Sequence, residues 1–315
     1  MKALCVGLAN ADILVKPVDN LSFTSDVMYV DQFELSNGGD AMSACSVIGK
    51  MGMPCALYTF VGDEQCLFSE FLLNRMKENG IDTSFVKRVS GENCGQVIAL
   101  VSSTGDRVFL YKQGALKKLC LEPVLLDRLE EFNVIYVAGT FQLPNFDGEG
   151  TLKLFLEARK KGICTIMDTA WDTSEKWLET IGESLKYTDI FLPSIVEASA
   201  MTSKEDPADI ADALLEYGPK NVVLKLGDKG CFLRNEISSK LIPSFPVNVV
   251  DTTGAGDCFG GGIVTGIMKG FPLETCCKFA NATGALGCTA MGATSGIINY
   301  QQVLNFLKNN GCVFE

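Results

Sequence analysis

The sequence predicts an α/β fold: a mostly parallel central sheet covered by helices on both faces, with a small antiparallel β lid beside it. Three observations predict it. Short, nearly continuous apolar runs alternate with amphipathic segments, the pattern of strands buried on both faces and joined by crossover helices. Two excursions, about 13–36 and 85–112, carry alternating residues without helices and break that rhythm. The chain has 315 residues, 47% hydrophobic and 21% charged, enough length and apolar content to bury a sizeable core in one large domain.

In chain order, strands are expected at Ala3–Gly7, Cys55–Val61, Val134–Gly139, Cys164–Asp168, Ile190–Leu192 and Val222–Leu226. Each is a short β-rich apolar run. Helices are expected at Ala41–Met51, Cys66–Asn79, Gly150–Lys161 and Asp209–Tyr217, where apolar residues recur at helical spacing. Their crossovers should be right-handed. Gln96–Ser102, the Gly-containing turn Thr104-Gly105-Asp106 and Arg107–Tyr111 read as a hairpin of the lid. After residue 250 the pattern turns helical: Gly256–Lys269, Leu273–Ala290 and Asn299–Asn310. No repeat, low-complexity stretch or flexible linker is visible, so residues 1–315 read as a single domain.

Composition excludes whole classes of chemistry. There is no histidine, which removes Ser-His-Asp and Cys-His catalysis and every His-ligated metal. The net charge is −11 without a Lys/Arg block, so no nucleic-acid partner is expected. The 13 cysteines include no C-x-x-C pair, which suits reduced, mostly buried thiols in a cytoplasmic protein. No apolar run approaches the ~18–20 residues that span a bilayer, so no membrane partner is expected.

The strongest local signal is Val249-Val-Asp-Thr-Thr-Gly-Ala-Gly-Asp-Cys-Phe-Gly-Gly-Gly262. A strand ends, a Gly-rich turn follows and a helix starts near Gly256, so successive N–H groups can converge on one anion. It is not a Walker A loop, and Gly254, Gly256 and Gly260 have one residue too many for the dinucleotide fingerprint. Tight packing would explain the glycines alone. Asp257 among anion donors does not fit that account, because a carboxylate repels a phosphate unless it serves as a base or metal partner. A helix cap remains the plainer alternative for Asp257.

Asp251-Thr-Thr-Gly-Ala-Gly-Asp257 resembles the C-terminal signature of the ribokinase-like (PfkB) carbohydrate kinase family. Asn37-Gly-Gly-Asp-Ala-Met-Ser43, Gly49–Gly52, Val61-Gly-Asp63 and Asn79-Gly-Ile-Asp82 resemble its N-terminal signature. The resemblance spans nearly the whole chain. It implies a ribokinase-like three-layer α/β/α fold and an ATP-dependent sugar kinase, with ATP, Mg²⁺ and K⁺ as cofactors. It also implies roles residue by residue: Asp257 the general base, and Gly254, Ala255 and Gly256 the anion hole. Asp251 and Thr253 would help hold the monovalent cation, completed by carbonyls near Gly292-Ala-Thr-Ser-Gly296. Pro193-Ser194-Ile-Val-Glu197 resembles the family's N-x-x-E motif, so Glu197 would organise Mg²⁺ through water and Ser194 would help place the nucleotide. Lys225, Gly227, Gly230 and Asn281 would line the nucleotide site.

On the acceptor side the resemblance gives Asp12, Gly38, Gly39 and Asp40 to the sugar, with Ser43 where the family usually has Asn. Two carboxylates favour a neutral polyol over a sugar acid or phosphate, while Arg107 and Lys112 on the lid could admit an anion. A homodimer through the lid is implied as well. The rival readings are a nucleoside kinase, with Phe23, Tyr29, Phe33 and Phe109 as a wall for a base, and a non-catalytic sugar-binding or regulatory homologue. Asp168, at a strand end on the same edge, gets a ligand role only from its position. Cys258 reads as a buried helix thiol.

Overall fold

The computed structural model describes residues 1–21, 24, 27–104 and 107–312. The chain opens with β1 (Ala3–Gly7) and leaves for the lid with β2 (Asn10–Lys16) and β3 (Gln32–Gly38). It returns through α1 (Asp40–Lys50), β4 (Cys55–Gly62), α2 (Leu67–Glu78) and the short strands β5 (Ile81–Asp82) and β6 (Val86–Val89). The second lid hairpin is β7 (Gly95–Val101) and β8 (Arg107–Lys112). Then come α3 (Pro123–Asp127), β9 (Val134–Thr140), α4 (Glu149–Lys160), β10 (Cys164–Thr169), α5 (Leu178–Leu185), β11 (Ile190–Phe191), α6 (Ile195–Thr202), α7 (Pro207–Leu215) and β12 (Asn221–Lys225). A final hairpin, β13 (Cys231–Asn235) and β14 (Ser239–Ile242), precedes α8 (Ala255–Met268), α9 (Leu273–Gly287) and α10 (Tyr300–Asn309).

The main sheet runs β14-β13-β12-β11-β10-β9-β1-β4-β5, with β6 also paired to β4. It is parallel from β12 to β5, and β13 and β14 add antiparallel strands at one edge. The expected strands and helices are present with boundaries shifted by a few residues. Periodicity did not mark β13–β14 or α5, whose eight residues, Leu178–Leu185, span barely two turns.

Strands β1, β4 and β9 are buried along their whole length, as strands covered on both faces must be. Ala3 and Cys5 of β1 pack toward α1, α8 and α9. Leu4 and Val6 pack toward α4, α5, α6 and α7. Helix α8 carries Gly260, Gly261, Gly262 and Gly266 in its interior. Each costs about 1 kcal/mol relative to Ala in helix propensity. Contact recovers it: a Cβ on Gly260 would lie 2.1 Å from the Tyr136 hydroxyl, and one on Gly262 would lie 2.2 Å from Thr283. The bare helix therefore seats deeply, and that depth sets where its first turn points.

The lid is a separate sheet in the order β3-β2-β7-β8. The β2–β3 and β7–β8 pairs are antiparallel, and the inner strands β2 and β7 run parallel to each other. The lid strands reach to Asn10 and Gly38 on one side and begin at Gly95 on the other. Residues 86–89, expected in the lid, pair instead with β4 of the main sheet. Gly105 and Asp106 of the expected hairpin turn lie outside the described residues.

Candidate active site

The carboxyl ends of the central strands converge on one edge, where β1 stands between β9 and β4 and the order of the chain reverses. Open α/β sheets bind ligands at such a point. Here the edge presents Thr140, Asp168, Thr169 and Lys225, with Ser194 bridged to Lys225 just past β11.

Gly254 caps the start of α8 with φ 73° and ψ 7°. A side chain there would be strained by that left-handed backbone, and its Cβ would fall 2.4 Å from the Ala293 carbonyl oxygen. Glycine is what lets the chain turn from Thr253 into the helix. First-turn N–H groups lack a helical acceptor, and here they open on a groove lined by Gly256, Asp257, Lys225, Glu197 and Asp40. Asp257 lies in that first turn with Ser43 beside it. Burial, then the neighbouring Asp40 and Asp168, push its carboxyl well above the usual range, and the Lys225 charge only partly offsets them.

Lys225 pairs with Asp168 at 2.5 Å, and the Tyr136 hydroxyl donates to the other Asp168 oxygen at 2.7 Å. Burial alone would lower the lysine, but Asp168 and Glu197 outweigh it and hold the ammonium charged. Asp168, placed by sequence only near the edge, is thus the anchor of the groove's lysine. Glu197 closes a capping box with Ser194: Ser194 N–H donates to Glu197 Oε2 at 2.9 Å, and Glu197 N–H donates to Ser194 Oγ at 3.3 Å. Thr169 Oγ1 donates to the same Oε2 at 2.9 Å. Glu197 is therefore both a cap and a fixed groove carboxylate. Its Oε1 accepts no hydrogen bond among the described residues, which suits a hydrated Mg²⁺ ion. Glu197 would hold that ion through water.

On the lid side, Asp12 from β2 and Asp40 from the start of α1 lie close enough for their charges to interact. Ser43 turns toward the Asp257 carboxyl, while Asp12 Oδ1, Asn10 Oδ1, Asn37 Nδ2 and Thr140 Oγ1 are buried without a hydrogen-bond partner. Each such atom costs about 1–3 kcal/mol unless something fills the need. A polyhydroxylated ligand would. Burial, then Asp40, raises Asp12 to about 7. Burial, then Asp168, raises Asp40 to about 6 against the opposing Lys225 charge. Gly38 has no room for a side chain, since its Cβ would sit 1.9 Å from Asp12 Oδ2. Gly39, at φ 88°, turns the chain into α1.

These shifts have a signed consequence. Raised carboxyls stay protonated in the native state to higher pH than in the unfolded chain, so they subtract stability progressively from about pH 4 until about pH 7. Asp12→Asn is expected to raise the melting temperature of the ligand-free protein relative to wild type. The difference should widen from about pH 4 to about pH 7 and then level off. The same variant should weaken acceptor binding by at least about tenfold. A melting difference flat in pH would refute the burial of this carboxylate as described.

The nucleotide candidates divide in two. A cavity of about 540 Å³ lies between α8, α9 and the segment after β14, with Lys225, Gly227, Gly256 and Phe245 on its walls. Gly227 faces open space. Gly230 lines the same cavity and packs on Ile242–Ser244, where its Cβ would be 2.1 Å from the Ile242 oxygen. Asn281 lines the cavity, and its Nδ2 donates to the Ile242 and Pro243 carbonyls at 2.9 and 3.1 Å. Both hold the wall in place. Cys258 is buried, its thiol donating to the Ala293 carbonyl at 3.3 Å, and burial pushes it far above the reactive range.

Asp251 and Thr253 form a tight turn in which Thr253 N–H and Oγ1 donate to Asp251 Oδ1 at 2.9 and 2.7 Å, and Gly292 N–H donates to Oδ2 at 2.9 Å. Burial would raise Asp251, but these N–H groups and the Arg107 charge overcome it and lower the carboxyl. Arg107, from β8, donates to Asp251 Oδ1 at 3.1 Å, to Thr252 Oγ1 at 3.0 Å and to Thr253 Oγ1. The residues expected to hold potassium are thus occupied by a lid arginine. As they stand they do not fit the ion.

Sequence reasoning missed Tyr136, Thr140 and the Arg107 clamp. A tyrosine inside a wholly apolar strand was the one visible signal for Tyr136. Arg107 and Asp251 lie 144 residues apart, beyond any local pattern.

First-turn N–H groups without a helical acceptor and the Asp257 carboxyl share one helical turn, and that turn faces a groove that also holds Lys225, Glu197 and Asp40. This defines a phosphotransferase with an alcohol acceptor. Residues 1–299 match the model of the pfkB family carbohydrate kinase, and the chain belongs to that family. It is 27% identical over 292 residues to a 2-dehydro-3-deoxygluconokinase of Bacillus subtilis, covering 88% of each chain. A ribokinase from Thermotoga maritima superposes with a TM-score of 0.83 at 27% identity, covering 98% of this chain and 99% of that one. A putative ribokinase II from E. coli, solved with ATP and Mg²⁺, superposes with a TM-score of 0.84 at 22% identity, covering 98% and 99%. The chain is a sugar kinase with a ribokinase-like fold. Among the described residues no helix is long and apolar enough to cross a membrane.

Proposed function

We propose that this kinase transfers the γ-phosphoryl group of MgATP to a hydroxyl of a small neutral sugar. The position of Asp257 carries the reading: its carboxyl neighbours Asp40 and Ser43 on the acceptor side and Lys225 on the phosphate side. The sugar donates hydroxyl hydrogen bonds to Asp12 and Asp40 in the pocket rimmed by Gly38 and Gly39. Asp257 takes the acceptor proton as the oxygen attacks, a role worth typically 10²–10⁴-fold. The N–H groups that follow Gly254, at Ala255 and Gly256, receive the charge that develops on the transferring group. Lys225 pairs with phosphate oxygens, and Ser194 and Glu197 shape the groove floor. Mg²⁺, held through water by Glu197, neutralises phosphate charge when bound. ATP in the relative of known structure supports the donor.

Neutral acceptors are favoured because two buried carboxylates would repel an anion. Arg107 does not offset this, since its guanidinium is committed to the Asp251–Thr253 turn. Phe109 lines the small cavity beside Asp12 and keeps a nucleoside acceptor as the second reading. Tyr29 and Phe33 open to solvent and Phe23 lies outside the described residues. ADP release with MgATP across aldoses, ketoses, sugar acids, sugar phosphates and nucleosides tests the reading, with Asp257→Asn as control. A neutral-sugar signal lost in the variant supports it, and a nucleoside signal transfers it to the second reading. Acceptor-dependent stabilisation with no ADP release would make the chain a binder.

A homodimer through the lid belongs to the same proposal. Phe33 and Phe109 are 72% and 54% exposed on β3 and β8, large apolar surface that a partner lid would cover. Light scattering should find a dimer that Phe33→Glu with Phe109→Glu converts to monomer. A wild-type monomer at micromolar concentration would end the idea.

A further inference from the structure

We infer that Arg107 is the built-in cation of this site: its guanidinium, carried on the lid, holds the Asp251–Thr253 turn in the way a bound monovalent ion would, so the enzyme works without one. The inference rests on the kinase reading, and its second readout does not.

Both oxygens of the Asp251 carboxylate are already engaged. Asp251 Oδ1 accepts from Thr253 N–H, Thr253 Oγ1 and Arg107 Nη1, and Oδ2 accepts from Gly292 N–H. The Asp251 side chain is only 9% exposed, and the arginine closes its open side. Nη2 spans to Thr252 Oγ1, so one planar fork engages three consecutive residues. A guanidinium is always charged and its fixed donors match a carboxylate with flanking hydroxyls. A monovalent ion arriving at Asp251 would meet that positive charge within a few ångströms, instead of a free carboxylate.

Position gives the contact its purpose. Thr253 runs directly into Gly254 and the first turn of α8, whose N–H groups are the anion donors. Fixing the turn fixes those donors. Because Arg107 opens β8, the stabilising charge is attached to the lid and comes with it. Arg107 is a positioning residue: it acts on the anion donors through the turn and touches no reacting atom.

The test compares K⁺, Na⁺ and tetramethylammonium chlorides at equal ionic strength, by turnover and by thermal melting of the ligand-free protein. Wild type should vary by less than about twofold in turnover, and its melting temperature should not respond to the choice of cation. Arg107→Ala should lose about 10- to 100-fold in turnover in tetramethylammonium. It should regain part of that loss in K⁺, with a K⁺-dependent rise in melting temperature as the vacated carboxylate binds the ion. Arg107→Lys should keep the indifference to the ion and lose only part of the rate. Wild type activated several-fold by K⁺ would overturn the inference, as would an Arg107→Ala variant as fast and as indifferent as wild type. Melting needs no turnover, so an inactive wild type would sink the kinase reading and leave this one decided by the melts.

Discussion

Asp257→Asn is expected to lower turnover by about 10²–10⁴ while ATP affinity stays within a few-fold, and to make the ligand-free protein more stable. The two effects have one cause. Burial beside Asp40 and Asp168 makes the Asp257 charge costly in the empty site. An amide of the same shape carries no charge, so the folded state no longer bears that cost. The gain in melting temperature should grow as pH rises above the ordinary carboxylate range, because the unfolded chain ionises there freely while the buried wild-type carboxyl does so at a cost. The acid limb of wild-type kcat/KM should likewise sit above the ordinary carboxylate range. Steady-state kinetics with melting curves at several pH values check both halves. Near-normal turnover would remove Asp257 from the chemistry, and an unchanged or lower melting temperature would remove the crowding of carboxylates from the account.

Lys225→Met should be the most damaging single change in the groove. The ammonium is the counter-charge of Asp168, which is 4% exposed in its side chain. Removing one partner of a buried pair costs typically about 3–5 kcal/mol. Asp168 can escape part of that by taking a proton, so the loss should ease toward acid pH. Turnover should fall by about 10² or more, since a phosphate oxygen loses a desolvated charge partner. The double variant Lys225→Met with Asp168→Asn separates the causes. It should recover most of the stability and none of the activity. Recovery of activity would show that the lysine only balances the aspartate and does not meet the phosphates.

What was legible in the sequence was local. The turn at Gly254 and the Ser194–Glu197 motif are specified by residues within a few positions of one another, so their spacing carries them, and the structure adds that the latter closes a capping box. Asp12, Asp40 and Asp257 could be named because each sits at a signature position, and the structure brings all three to one edge. The lysine's partner, the tyrosine beneath it and the arginine over Asp251 come from three other strands, and pairings across a sheet leave no local trace. Gly230 and Asn281 stand at motif positions and line the same cavity, where the glycine packs on Ile242–Ser244 and the asparagine donates to the Ile242 and Pro243 carbonyls. The hairpin β13–β14 escaped notice because its outer strand alternates weakly, with Ser239, Lys240 and Leu241 all exposed.

The parallel pairing of β2 with β7 bears on how the molecule assembles. Asn10 meets Gly95 and Leu14 meets Ala99 across that seam, so the two halves of the lid are joined only after α1, β4, α2 and β6 have brought their ends together. Each half alone is a two-stranded hairpin, marginal in water. Distant pairings of this kind bear a loop-closure cost before any contact rewards them. The seam should therefore be late to form and early to open, and its backbone amides should exchange with solvent faster than those of β1 and β9, even in protein that is otherwise fully native. Arg107 lies on β8, which pairs with the β7 strand of that seam. On the inference that Arg107 holds the Asp251–Thr253 turn, the first turn of α8 is fixed only while the lid's backbone is whole.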